Sequence, residues 1–173
     1  EPADSWNVIE FKGRRIALTV CEDIWNLGNN PLYKICPMDK LMEQRPDIMI
    51  NISASPFDYL HAEGRISMIK QNVAKYKLPM VYCNTVGSQT EIVFDGGSVV
   101  MDTHQNLIAE LPYFAEALQS VTLKDDKTFA EFLNSKSEAE VSPWKMHLRI
   151  RLIQKHLSVS HNHSFICYST TEQ

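Results

Sequence analysis

Cys21, Glu22 and Asp23 stand together at the end of an apolar, β-branched-rich run, Ile16-Ala17-Leu18-Thr19-Val20. Such a run reads as a buried strand, which puts the thiol at the strand's mouth. A cysteine attacks only as a thiolate, and a thiolate needs a neighbouring base, a cation or backbone donors. The strand-end position meets the geometric half of that need, because the N–H of the following residue, Glu22, can be aimed at a developing oxyanion. Two adjacent carboxylates work against a thiolate, so a base and a cation must come from elsewhere in the fold. A buried free cysteine is also among the commonest inert core residues, and residues 13–25 alone leave both readings open.

The elements that would hold this thiol follow from hydrophobic spacing. Val8, Ile9 and Phe11 are expected to pair with the strand ending at Cys21 through a turn at Gly13. Residues 26–31 are rich in turn formers, and a short helix is expected from there to about Gln44, with Leu32, Ile35, Leu41 and Met42 inward and Pro37 bending or splitting it. Residues 47–53 read as a second strand, closed by Ala54-Ser55-Pro56. In residues 61–77, Ile66, Ile69, Val73 and Tyr76 recur at intervals of three and four, one buried helix face. Residues 78–83 read as a third buried strand and residues 84–89 as a loop. Asp95-Gly96-Gly97 between two β-branched runs predicts a hairpin pairing residues 91–94 with 98–101. A turn at residues 103–106 then leads to a strand at 107–111. Strand, helix, strand, helix, strand and hairpin make a layered α/β fold whose latter part turns antiparallel.

The 173-residue chain has room for one sizeable core, and no apolar run approaches the roughly 18 residues of a membrane span. With no secretory signal pattern either, the expected location is the cytoplasm. Four cysteines at 21, 36, 83 and 167 match neither a C-x-x-C site nor a disulfide scaffold, so reduced thiols are expected. The net charge of −4 gives no reason to expect nucleic acid. It divides unevenly, +3 over residues 142–173 and −7 before them, which marks a boundary near Ser142. Residues 121–141 read as a linker with a short helix near 129–133. Beyond them Leu148, Ile150 and Leu152 alternate like a strand that lacks an evident partner. His161 and His163, without further ligands, read as solvated surface, and no metal is expected.

Four ordered motifs carry a resemblance: Arg14-Arg15-Ile16-Ala17-Leu18-Thr19-Val20-Cys21-Glu22-Asp23-Ile24-Trp25, Asn51-Ile52-Ser53-Ala54-Ser55-Pro56-Phe57, Asn84-Thr85-Val86-Gly87-Ser88-Gln89-Thr90-Glu91 and Phe94-Asp95-Gly96-Gly97-Ser98. Over residues 1–120 they resemble the nitrilase-type glutaminase domain of glutamine-dependent NAD(+) synthetases, in its C-terminal part. The resemblance implies a partial α-β-β-α sandwich and amide hydrolysis by a Glu-Lys-Cys triad. Cys21 matches the nucleophile that attacks the glutamine carboxamide to give a thioester and ammonia, and the N–H of Glu22 matches an oxyanion donor. Ser55 and Trp25 match the substrate side of the site. His61 stands where the family usually has a lysine or arginine near the substrate.

The same resemblance implies that the ammonia passes to a synthetase domain, where ATP and magnesium belong and nicotinic acid adenine dinucleotide is amidated. It also implies a homo-oligomer in the intact parent. The family's glutamate and lysine lie further before the cysteine than the 20 residues found here, and Glu10 and Lys12 lack their motif context. The S-G-G-x-D-S loop of the synthetase domain is absent from the sequence, and residues 142–173 depart from the family as a divergent, disordered or frame-disrupted tail. The isolated chain is therefore expected to be inactive. A nitrilase-like interaction module that keeps Cys21 as a packed residue, or another carbon–nitrogen hydrolase, are the alternatives.

Overall fold

The computed structural model describes residues 3–27, 33–59, 61–124, 147–154 and 168–170. Its centre is a six-stranded sheet. Strand β1 (Ile9–Phe11) turns at Lys12 and Gly13, both at positive φ, into β2 (Arg14–Val20), to which it is antiparallel. A one-turn 3-10 helix, Cys21–Ile24, ends β2, and α1 (Pro37–Met42) leads to β3 (Ile48–Ser53), parallel to β2. Helix α2 (His61–Tyr76) then returns the chain to β4 (Met80–Asn84), parallel to β3. A small ladder of β5 (Val86–Gln89) with β6 (Ile92–Asp95) precedes β7 (Val99–Met101) and β8 (Leu107–Glu110). These last two complete the main sheet as antiparallel strands, in the order β1-β2-β3-β4-β7-β8.

The alternation of side chains along these strands builds two cores. On one face Ala17, Met49, Met80, Val99 and Met101 pack with Met38 and Leu41 of α1 and with Met68, Ile69, Val73 and Tyr76 of α2. On the other face Ile48, Ile50, Val81, Val100 and Ala109 meet Val121 and Leu123 of β9 (Ala117–Lys124). Burying each of the larger aliphatic side chains among these contributes about 1.5–3 kcal/mol. Strand β9 pairs with β10 (His147–Gln154), which pairs with β11 (Tyr168–Thr170), both antiparallel. Helices, main sheet and second sheet form three successive layers, a partial α/β nitrilase-like arrangement of the kind the resemblance implies.

Most elements fall where hydrophobic spacing puts them, and four differ. Strand β2 is fully buried on one face only: Ala17 and Thr19 are covered, while on the other face Ile16 packs partly against the second core and Leu18 and Val20 remain 37% and 55% exposed. Pro37 starts α1 rather than bending a longer helix, since its missing N–H costs nothing at the first helical position. Ile35 therefore precedes α1 and is exposed, and Leu32 lies outside the described residues.

The hairpin is also displaced. Gly96 and Gly97 do take positive φ, 75° and 63°, but they carry the chain from one ladder to another. Strand β6 pairs backwards with β5, in the segment expected to be a loop, across a turn at Thr90 and Glu91. Strand β7 pairs with β4 and β8. Local turn chemistry marks the bend, and the core decides which strand receives each side. Finally, residues 121–124 belong to β9 instead of a linker, and the strand expected around Leu148 finds its partner there: Leu148 is opposite Leu123, and Ile150 is opposite Val121. The helix expected near 129–133 and the residues His161 and His163 lie outside the described residues.

Candidate active site around Cys21

Cys21 is the first residue after β2 and opens the 3-10 turn with φ 49°. A non-glycine side chain in that left-handed region is strained and persists only where its surroundings hold it. The following turn is fixed by Asp23, whose carboxylate accepts the Val20 N–H at 2.9 Å, and by the Trp25 N–H, which donates to the Glu22 carbonyl at 2.9 Å. The half-buried thiol opens into a cleft of about 1000 Å³ that it shares with Leu18, Val20, Glu22, Asp23, Tyr33, Lys34 and Ile35. The exposed side chains at the end of β2 thus line part of this cleft.

Glu22 is exposed, and its carboxylate accepts the Tyr33 hydroxyl at 2.5 Å. That contact raises the Tyr33 phenol, chiefly through the hydrogen bond and the carboxylate charge. Among the described residues, the acids lining the cleft are Glu22 and Asp23, both hydrogen-bonded within the site, and the cation is Lys34. Tyr33 and Lys34 escape a reading of the sequence because the segment before α1 has no periodicity to mark them.

The other residues singled out in the sequence occupy different places. Trp25 caps the 3-10 turn and packs against the helix-side core, outside the lining of the cleft. Ser55 follows β3 and is buried, its N–H donating to the Asn84 side-chain carbonyl at 2.9 Å. Asn84 in turn donates to the Gly96 carbonyl at 2.9 Å and to Asp95 at 3.3 Å. Asp95 is held by both terminal nitrogens of Arg65 in a fully buried pair, one contact at 2.9 Å. Tyr82, beside Ser53, Ser55 and Arg65, is raised by burial, with those three neighbours opposing the shift. The backbone of His61 begins α2, and its side chain lies outside the described part. Register places the ends of β2, β3 and β4 side by side, Val20 opposite Ile52 and Ser53 opposite Asn84, so Cys21 and Ser55 emerge from one end of the parallel strands. That end is where open α/β sheets bind ligands.

One polar residue stands at the head of one of the four sequence motifs, where the sequence assigns it no role. Asn51 is fully buried in β3, opposite Thr19, and its amide donates to the Thr19 hydroxyl at 3.0 Å and to the Cys21 carbonyl at 3.3 Å. A lone amide inside Ile48-Met49-Ile50-Asn51-Ile52 is the signal that marks it, because a buried polar group must be hydrogen-bonded. Among the described residues, no group of histidine, cysteine and carboxylate side chains is placed to hold a metal, and no helix is long and apolar enough to cross a membrane.

No protein-family model matches the chain. Its sequence is 32% identical over 111 residues to the glutamine-dependent NAD(+) synthetase of Synechocystis sp., a match covering 62% of this chain and 20% of that protein. The chain thus spans about a fifth of the length of that curated relative. Among solved structures, the glutamine-dependent NAD+ synthetase from Acinetobacter baumannii in complex with ADP superposes with a TM-score of 0.62 at 25% identity, over 74% of this chain and 23% of that one. A nitrilase-superfamily amidase from Nesterenkonia, solved as a Cys-to-Ala mutant, matches in fold with a TM-score of 0.52 at 20% identity, over 64% of this chain and 38% of the amidase. Sequence and fold therefore agree that the chain is similar to one part of the glutamine-dependent NAD(+) synthetases and carries part of the nitrilase-superfamily fold.

Proposed function

We propose that this chain is the C-terminal part of the glutaminase domain of a cytoplasmic, glutamine-hydrolysing NAD(+) synthetase, with Cys21 as its nucleophile. The observation that carries this reading is the strained cysteine at the end of a parallel strand, open to a cleft, in a chain similar to those synthetases. In this reading the Cys21 sulfur gives up its proton to the general base and bonds to the carboxamide carbon of glutamine, and the C–N bond breaks as the nitrogen takes that proton and leaves as ammonia. Water then cleaves the thioester, giving glutamate and restoring the thiol. The Glu22 N–H serves the oxyanion, while Ser55, His61 and Trp25 form the substrate side. In this reading the general base and the lysine are residues other than those described at the cleft, and the chain by itself is expected to hydrolyse no glutamine. The ammonia is consumed by a synthetase domain, and the intact parent assembles as a homo-oligomer.

In the full synthetase, Cys21→Ala is expected to abolish glutamine-supported NAD formation and to leave ammonia-supported formation intact. Loss of both would contradict a purely glutaminase role. For the isolated chain, glutamate release that Cys21→Ala eliminates would show that the base is present after all. A second reading, a non-catalytic interaction module, is favoured by one observation: Glu22 and Asp23, the acids at the cleft, are already bonded to Tyr33 and to the Val20 N–H. An unaltered glutamine-supported rate in Cys21→Ala would select it.

A further inference from the structure

We infer that Asn51 is the positioning residue for Cys21, holding the cysteine's backbone in the left-handed conformation that turns its thiol into the cleft; this rests on reading Cys21 as the nucleophile. The orientation of the Asn51 amide is fixed by its partners. The Ser53 hydroxyl donates to the amide oxygen at 2.9 Å, so the nitrogen must face the other way. There it meets two acceptors: the Thr19 hydroxyl, whose own proton goes to the Ile50 carbonyl at 3.3 Å, and the Cys21 carbonyl. Reversing the amide would oppose its oxygen to the Cys21 carbonyl, which cannot donate.

The consequence falls on the backbone of one residue. Cys21 has φ 49°, and a side chain with a Cβ leaves that region unless something over-determines it. Asp23 secures the residue before Cys21 by accepting the Val20 N–H, and Asn51 secures the carbonyl of Cys21 itself. Asn51 is fully buried on the helix-side face of β3, so no water competes for its donors. It touches the backbone of the nucleophile and reaches the reaction only through it.

The test is the alkylation rate of each thiol in the full 173-residue chain, read peptide by peptide by mass spectrometry with iodoacetamide as the probe. Two variants are compared with the parent: Asn51→Leu, similar in size and without donors, and Asn51→Ser, too short to reach the carbonyl. Cys36 and Cys83 report on the rest of the fold. At least a fivefold slowing confined to Cys21, in either variant, is the expected result. An unchanged Cys21 rate, or a change shared with Cys36 and Cys83, overturns the inference, the latter by showing Asn51 to be structural only. Neither depends on glutamine hydrolysis. Survival of the glutamine-supported rate in Cys21→Ala would end the nucleophile reading while leaving the alkylation result standing.

Discussion

At the scale of single residues, the cost of the site sits in the backbone of Cys21. Its left-handed conformation suits glycine better than any residue with a Cβ. Cys21→Gly is therefore expected to be more stable than Cys21→Ala, by about 1 kcal/mol in urea unfolding, although both lack the thiol. Arg65 and Asp95 are both fully buried and pair with each other, and the Arg65 guanidinium also lies over the rings of Tyr82 and Tyr113 at 5.9 and 6.0 Å. Removing either charge alone, by Arg65→Met or Asp95→Asn, strands its partner. Each is expected to cost about 3–5 kcal/mol in denaturant midpoint measurements. The double change should cost less than the two losses added together.

At the scale of elements, the bend between β6 and β7 joins two strand ladders, and the seam between α1 and α2 ties the helix layer together. A Cβ on Gly97 would fall within contact distance of the Tyr113 ring, at a φ of 63° that already disfavours one. Gly97→Ala should lower the thermal midpoint, and Tyr113→Ala should restore only part of the loss, because removing the ring relieves the clash and leaves the backbone strain. Gly64, inside α2, has open space around it, and Gly64→Ala should stabilise by about 0.5–1 kcal/mol. Across the helix seam, Asp39 accepts the Tyr76 hydroxyl at 2.8 Å and pairs with Lys75 at 2.7 Å. Burial alone would raise the Asp39 carboxyl, but the hydrogen bonds from Lys75 and Tyr76 outweigh it and hold the group below its usual range. A carboxyl lowered in the folded state stabilises fully above its unfolded value of about 3.9 and loses that contribution as pH falls through the lower folded value. Asp39→Asn should therefore flatten the acid limb of the stability curve below about pH 4 and leave its slope between pH 6 and 8 unchanged.

At the scale of the whole molecule, the main sheet ends at β1 on one side and β8 on the other, and both present apolar side chains to solvent. Ile9 and Phe11 are exposed on β1, as are Leu107 and Ile108 on β8. An exposed edge strand with apolar side chains templates further pairing. Phe11→Lys and Ile108→Lys are expected to reduce concentration-dependent light scattering of the chain without lowering its thermal midpoint. Equal scattering in parent and variants would show that neither edge drives association.

Spacing in the sequence determined the parallel core. The alternation around Ala17, Met49 and Met80, and the three-and-four recurrence from Ile66 to Tyr76, admit few arrangements that bury every apolar side chain. Cys21 at the end of β2 was legible for the same reason, since an apolar run that stops at a thiol fixes where the thiol emerges. The pairing of β1 with β2 across Gly13 was legible too, but only the tertiary structure decided how the later strands meet. The glycine bend at 96–97 joins two ladders instead of closing a hairpin, and β9 finds β10 across residues that local pattern cannot link. The role of Asn51 belongs to the same class. Its partners lie 30 and 32 positions away in the chain, on a neighbouring strand, and hydrogen bonds between strands are set by register that no local stretch of sequence contains.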